Sequence, residues 1–309
     1  MLKKLLGLLL VLVLAVVGLY YACPEKLAQL AISGERAAAS LSKHEIDAAG
    51  VHFVYLEGGK GEPLVLIHGF GADKENFTRV AKFLTPRFHV IIPDVPGFGE
   101  SGQPANGDYS IDAQVERIHA FVQALGLKTV HLGGSSMGGN IAAAYGAKYP
   151  TETGSLWLLA PAGVVSAPPS VLALRLGQGG KNPLIASNAD EFEQVFHFVM
   201  EEPPFMPRRI LDVMGSTAVK HHDLNVKIFE QIHSAMALEP LVKGLEVPTR
   251  IVWGEQDRAL NVGGAKILEG LMPKSSALIL PGVGHLPMVE RPREVAKDYL
   301  AFRDGLKAQ

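Results

Sequence analysis

The chain has 309 residues, 48% of them hydrophobic and 19% charged, with a formal net charge of −2 at pH 7. This balance offers no basic face for nucleic acid, and the lone Cys23 rules out an intramolecular disulfide. The length allows one large domain or two small ones.

Lys3 and Lys4 precede an unbroken apolar run from Leu5 to Ala22. Its 18 residues would make a helix of roughly 27 Å, close to a bilayer core of about 30 Å. Its dozen Leu and Val residues favour insertion by about 5 kcal/mol. A cleaved signal peptide would have a shorter apolar region ending in an A-x-A-like site, whereas Tyr20-Tyr21-Ala22 puts a bulky ring at the third place back. A lipoprotein would need a small residue two places before Cys23, where Tyr21 stands. Residues 1–23 are therefore read as an uncleaved anchor, with paired tyrosines at the membrane interface. The lysines stay cytoplasmic, and residues 24–309 lie across the membrane, in a bacterium on the periplasmic side of the inner membrane. An anchor helix could also pair two copies as a homodimer.

Residues 24–43 read as a juxtamembrane helix, with Leu27, Leu30, Ala31 and Leu41 spaced for one apolar face and Gly34 weakening the middle. It could be a plain spacer, or lie near the headgroups and orient the domain. From Glu45 onward strands and helices alternate. Strands are expected at 51–56, 63–67, 89–92, 130–132, 156–159, 250–253 and 277–280. Helices are expected near 76–84, 111–125, 137–148, 263–272 and 291–306. The continuous apolar runs among the strands suit a sheet covered on both faces. Such alternation predicts an α/β fold with a mostly parallel, doubly wound sheet. Between about Val164 and Val242 no strand pattern occurs. That stretch is expected to be a helical cap over the carboxyl edge of the sheet, where ligand crevices lie, leaving 44–163 and 243–309 as the core. Phe192, Val195, Phe196 and Val199 form a helical stripe there, open to two readings: packing within the cap or contact with substrate.

The chemistry centres on Gly134-Ser135-Ser136-Met137-Gly138, a G-x-S-x-G pattern directly after one expected strand and before one expected helix. That setting lifts a serine hydroxyl onto a sharp turn, with helix-start amides aimed at the reacting carbonyl. Ser136 is the candidate nucleophile. A serine needs a base and the base needs an orienting carboxylate. In this class they follow in the order acid, then histidine. Asp257, in Gly254-Glu-Gln-Asp257 after the next-to-last strand, is the candidate acid in preference to Glu255. His285, in Gly282-Val-Gly-His285 after the last strand, is the candidate base. His119, His197 and His233 fall in helical patterns. His221-His222 lacks further ligands at metal spacing and reads as a solvated face, so no metal site is expected. Asp94 precedes the nucleophile and fits a structural loop. His68-Gly-Phe-Gly71 follows the strand at 63–67, so the amides of Phe70 and Met137 are the candidate oxyanion donors, each worth about 3–4 kcal/mol in the transition state. Leu260 and Leu286 join Phe192, Val195 and Phe196 as candidate pocket residues. Gly97-Phe-Gly-Glu-Ser-Gly102 matches the dinucleotide fingerprint, but a loop follows it where a helix is required.

His68-Gly-Phe-Gly71, Asp94-Val-Pro-Gly-Phe-Gly-Glu-Ser101, Ser110-Ile-Asp-Ala-Gln-Val-Glu-Arg-Ile-His119, Gly134-Ser-Ser-Met-Gly-Gly139, Trp253-Gly-Glu-Gln-Asp257 and Gly284-His-Leu-Pro-Met-Val-Glu-Arg-Pro292 carry a family resemblance. With these, the chain resembles the α/β-hydrolase superfamily, in particular membrane-anchored monoacylglycerol lipases and PlaF-like bacterial phospholipases A. The resemblance implies hydrolysis of acyl ester bonds in glycerolipids without a cofactor. It also implies Ser136, His285 and Asp257 in the roles above, and release of fatty acid beside the membrane. The cap is the part least matched. Rival functions are a tethered short-chain carboxylesterase, a carbon–carbon bond hydrolase with the same triad, and a catalytically dead binding module.

Overall fold

The computed structural model describes residues 2–233 and 237–307. Helix α1 (Leu2–Ala22) is followed by α2 (Pro24–Ala38). Two antiparallel strands come next, β1 (Leu41–Ala48) and β2 (Val51–Gly58), and then β3 (Glu62–Ile67). A 3-10 turn and α3 (Thr78–Ala81) lead to β4 (Phe88–Pro93), α4 (Ile111–Ala124), β5 (Val130–Ser135), α5 (Met137–Lys148) and β6 (Thr153–Leu159). Among the described residues five helices follow: α6 (Val171–Gly177), α7 (Ala189–Val199), α8 (Arg208–Lys220), α9 (His222–His233) and α10 (Glu239–Val242). The chain ends with β7 (Thr249–Gly254), α11 (Gly263–Leu271), β8 (Ser275–Leu280), α12 (Pro287–Glu290) and α13 (Pro292–Lys307).

The eight strands form one sheet in the order β1-β2-β4-β3-β5-β6-β7-β8. From β4 to β8 all pairings are parallel. Leu64, Val65, Leu66 and Ile67 of β3 are fully buried because both faces are covered. Val65 and Ile67 join the cluster that holds Phe121, Ile141 and Tyr145 of α4 and α5. Leu64 and Leu66 join the opposite cluster, with Phe77, Val80, Val295 and Tyr299. Trp157 stacks on Tyr299 there at 4.3 Å between ring centroids. Each such fully buried side chain contributes about 1.5–3 kcal/mol.

Three local expectations need correction. The helix expected over 24–43 stops at Ala38, and Leu41–Lys43 open β1 instead. Only the ends of β1 are buried, and its Ser42, Lys43, His44 and Glu45 face solvent, the polar dress of an edge strand. Helix α2 also presents a different face. Leu30 and Ala31 are exposed, while Ala28, Ile32 and Arg36 turn inward. Small alanines permit close approach, and two polar ties set the rotation: Arg36 pairs with Glu75, and Thr78 donates to Glu35 at 3.1 Å. The helix expected over 76–84 is one 3-10 turn plus the four residues of α3. Residues 234–236 of the expected cap, Met1, and residues 308–309 lie outside the described residues.

His131 on β5 shows how burial sets a pH limit on stability. Its Nε2 accepts from Arg303 at 2.9 Å, and its Nδ1 meets Ser155 Oγ at 2.9 Å. Burial, then the Arg303 charge, pushes its pKa down to about 4. The folded state thus favours neutral imidazole. This contribution is complete above about pH 6.5 and is lost as pH falls toward 4, amounting to at most about 3 kcal/mol. Thermal melts between pH 7 and 4 should fall less steeply for His131→Gln than for the parent chain. Identical slopes would refute this assignment.

Candidate active site

The carboxyl ends of β3, β5, β7 and β8 lie along one edge of the sheet, because these strands are parallel and in register, with Ile67 opposite Gly134 and Gly254 opposite Leu280. The loops leaving that edge carry His68 to Phe70, Ser136, Asp257 and His285.

Ser136 joins β5 to α5 with φ 55° and ψ −118°. This is a region that non-glycine residues rarely adopt, at a cost of order 1–3 kcal/mol. Its backbone is held from three sides: its N–H donates to Leu159 O at 3.0 Å, and its carbonyl accepts from Asn140 and Ala162 at 3.1 and 2.9 Å. The hydroxyl makes no capping bond to the helix it begins. The flanking glycines are dictated by space. A Cβ at Gly134 would lie 2.1 Å from Gly138 O, and one at Gly138 would lie 2.1 Å from Ile67 O. The tight contact at Gly138 also presses the first turn of α5 against the backbone leaving β3. This is the segment that contains Phe70, while Met137 is the first residue of α5.

Asp257 and His285 are brought together. His285 Nδ1 lies 2.7 Å from Asp257 Oδ2, and both side chains are almost completely buried. The amides of Ala259 and Leu260 donate to Oδ1 at 2.8 and 2.9 Å, and the Trp253 indole N–H donates to Oδ2 at 2.9 Å. The carboxylate is therefore saturated with donors, as a buried charge must be. With Nδ1 committed to Asp257, Nε2 is the imidazole nitrogen left for chemistry. The His285 loop is held in turn by Glu290, whose carboxylate accepts the Gly284 amide at 3.0 Å. Sequence reasoning missed Trp253 and Glu290. The only visible signals were their places within Trp253-Gly-Glu-Gln-Asp257 and His285-Leu-Pro-Met-Val-Glu290.

His68 is fully buried behind the candidate oxyanion loop. The Val95 N–H donates to its Nε2 at 2.9 Å, so the ring proton sits on Nδ1 and is donated to Gly69 O at 2.8 Å. Burial pushes the His68 pKa down, in keeping with a neutral ring. In a trans peptide the Gly69 carbonyl and the Phe70 N–H point in opposite directions. Holding one therefore aims the other. Asp94, also fully buried, accepts from the Lys74 amide and Lys74 Nζ, both at 2.7 Å, and from the Glu100 amide at 2.8 Å. Lys74 Nζ also pairs with Glu100 at 2.7 Å. Burial opposes the Lys74 charge, but Asp94 and Glu100 outweigh it and raise its pKa. Burial likewise opposes the Glu100 charge, yet Lys74 and Lys43 push its pKa down to about 2. Lys74→Met, which strands Asp94, should destabilise the fold by about 3–5 kcal/mol in denaturant titration. A loss below about 1 kcal/mol would mean that the pair is not holding the loop.

The pocket candidates are dispersed. Phe192 and Phe196 contact each other edge to face, 5.3 Å between centroids, and Phe192 borders Gly215 of α8. This places them at the α7–α8 junction, and the packing reading of the stripe accounts for these contacts. Val195 is half-buried on the same helix. Leu260 packs on one core cluster and Leu286 on the other. The ring that does meet Phe70 from the helical segment is Phe229 of α9, at 5.4 Å, with Phe98 on another side at 5.8 Å. Phe229 was not anticipated. Gly97–Gly102 closes as a turn, with the Gly97 amide donating to Gly102 O at 3.0 Å, and the next helix begins only at Ile111.

Comparison with known proteins agrees with this architecture. The family described as alpha/beta hydrolase fold matches residues 62–198. Lipase 3 of Moraxella sp. (strain TA144) is 40% identical over 99% of this chain and 100% of its own length. Human monoacylglycerol lipase ABHD6 is 35% identical over 79% of this chain and 76% of its own. Among solved structures, a bacterial membrane phospholipase A superposes with a TM-score of 0.91 at 40% identity, covering 100% of both chains.

Proposed function

Since the chain belongs to the α/β-hydrolase fold family and is a carboxylic ester hydrolase of lipase type, we propose that it is a membrane-anchored lipase. On this reading it cleaves acyl esters of glycerolipids through Ser136, His285 and Asp257. The observation that carries the reading is the buried His285–Asp257 pair at 2.7 Å, at the same sheet edge as a serine held at φ 55°.

Ser136 Oγ attacks the acyl carbonyl carbon while His285 Nε2 takes its proton. The carbonyl π electrons move to oxygen, where the Phe70 and Met137 amides stabilise the oxyanion. As the tetrahedral intermediate collapses, the bond to the alcohol breaks and His285 returns the proton to the leaving oxygen. Water then attacks the acyl-serine, giving its proton to His285, and fatty acid leaves as Ser136 regains its hydrogen. Asp257 stabilises the transient imidazolium throughout.

The membrane part of the reading is supported by α1. Residues Lys4–Ala22 form a helix with mean hydropathy 2.6, and its Leu5, Leu6, Leu8, Leu9, Leu10 and Leu14 are exposed. The lipase names of the relatives support glycerolipid esters as substrates, and the tether would bring the site to them. The test is the rate of the full-length protein in vesicles on monoacylglycerols, lysophospholipids and diacyl phospholipids, against soluble esters of increasing acyl length. Preference for long acyl chains in the bilayer is expected. A steep preference for the shortest soluble esters would favour a tethered carboxylesterase instead.

A further inference from the structure

Between α7 and α8 the chain runs Met200-Glu-Glu-Pro-Pro-Phe-Met-Pro207. Its start is fastened to the loop of the candidate base. The His285 amide donates to Val199 O at 2.7 Å, and the amides of Glu201 and Glu202 donate to the Glu290 carboxylate at 2.8 and 2.9 Å. Both acidic side chains are drawn aside into ion pairs, Glu201 with Arg258 and Glu202 with Arg291. The tip left over, Pro203 to Pro207, carries no charge. Phe205 within it is 91% exposed, the most exposed large hydrophobic side chain among the described residues.

A single exposed apolar residue is ordinary. What sets this one apart is where the other end of the segment goes. Arg209, in the first turn of α8, donates from Nη1 to Tyr21 O at 2.9 Å. Its guanidinium lies 5.0 Å from the Tyr21 ring centroid and 6.0 Å from that of Tyr20. Tyr21 is in the last turn of α1, where helix carbonyls lack internal partners. The start of α8 thus sits on the end of the membrane-length helix. Phe205 is four residues away along the chain, so its Cα lies within about 14 Å of that of Arg209.

We propose that the 203–207 tip is a second membrane contact: Phe205 enters the interfacial layer of the bilayer that holds α1. The inference rests on reading α1 as a membrane span. An uncharged aromatic tip beside the end of a membrane-length helix is suited to the headgroup boundary, where rings insert. Pro203, Pro204 and Pro207 fix φ along the tip, so little conformational freedom is lost on insertion. Since Val199 to Glu202 is fastened to the His285 loop, insertion seats the rim of the candidate active site on the lipid surface.

The sequence has two tryptophans, Trp157 and Trp253, and both are buried. Phe205→Trp therefore adds a solvent-facing indole to full-length protein in phosphatidylcholine vesicles. With bromines near the carbonyl end of the acyl chains, a blue-shifted emission and strong quenching beyond that of the parent protein are expected. Flotation with the vesicles but water-like emission and no added quenching overturns the contact alone. Failure to float after an alkaline wash overturns the span and the contact together. Phe205→Ser should lower the rate on vesicle-borne long-chain lipid about tenfold, the scale of one apolar ring leaving its burial site. Turnover of a soluble short-chain ester should be unchanged. Equal losses on both substrates would mark Phe205 as structural and also overturn the contact.

Discussion

Replacing Ser136 with alanine is expected to lower kcat by about six orders of magnitude, the scale of losing a nucleophile from a catalytic unit. Labelling by a fluorophosphonate probe should vanish as well. The fold should survive, because Ser136 is held by its backbone, through Leu159 O, Asn140 N and Ala162 N, and its hydroxyl caps nothing. Alanine does not escape the φ of 55°, so any stability change should be small, as seen by thermal melting. Glycine at the same place would relieve the strain, and Ser136→Gly should match or exceed the parent in stability while remaining equally inactive. If the alanine variant is still labelled, the nucleophile lies elsewhere.

The second large effect concerns Asp257. In Asp257→Asn the amides of Ala259 and Leu260 still need an acceptor at the Oδ1 position, where they now meet Asp257 at 2.8 and 2.9 Å. The asparagine oxygen takes that place. Its NH2 group then faces both the Trp253 indole N–H and His285 Nδ1, which sit 2.9 and 2.7 Å from the present Oδ2. Against Trp253 this is donor against donor. Against His285 it forces Nδ1 to accept, which moves the ring proton to Nε2, where it cannot receive the proton of Ser136. A loss of about 10⁴ in kcat with little change in KM is expected. Steady-state kinetics on a soluble ester checks it. A loss below about tenfold would mean that another carboxylate orients His285, and Glu255 would be tested next.

Much of this was legible in the sequence because the parallel strands are covered on both faces. A run such as Pro63-Leu-Val-Leu-Ile67 has few other uses, and the candidate reactive residues follow such runs directly. The strand β1 was not legible. It lies at the sheet edge with a polar surface, and its first residues continue the apparent spacing of α2. The spacing of Phe77, Val80, Ala81 and Leu84 fits a helix, yet these residues reach the same core from a 3-10 turn, the single turn of α3 and the non-helical turn after it. The partners of the candidate reactive groups were hidden for a different reason. Trp253 reads as a strand core residue and Glu290 as a surface acid. Only the folded chain shows the indole N–H on Asp257 or the carboxylate beneath the Gly284 amide. Phe229 belongs to the helical segment, where periodicity gives a buried face but not what that face meets.

The ties of α2 to the body, Arg36 to Glu75 and Thr78 to Glu35, have a kinetic meaning if α1 spans a bilayer. The tether is then an axle and not a leash. The domain cannot drift far from the leaflet, and the effective concentration of lipid it meets is set by the composition of its own membrane. Turnover should follow the mole fraction of substrate in the surface and be indifferent to how many vesicles share the tube.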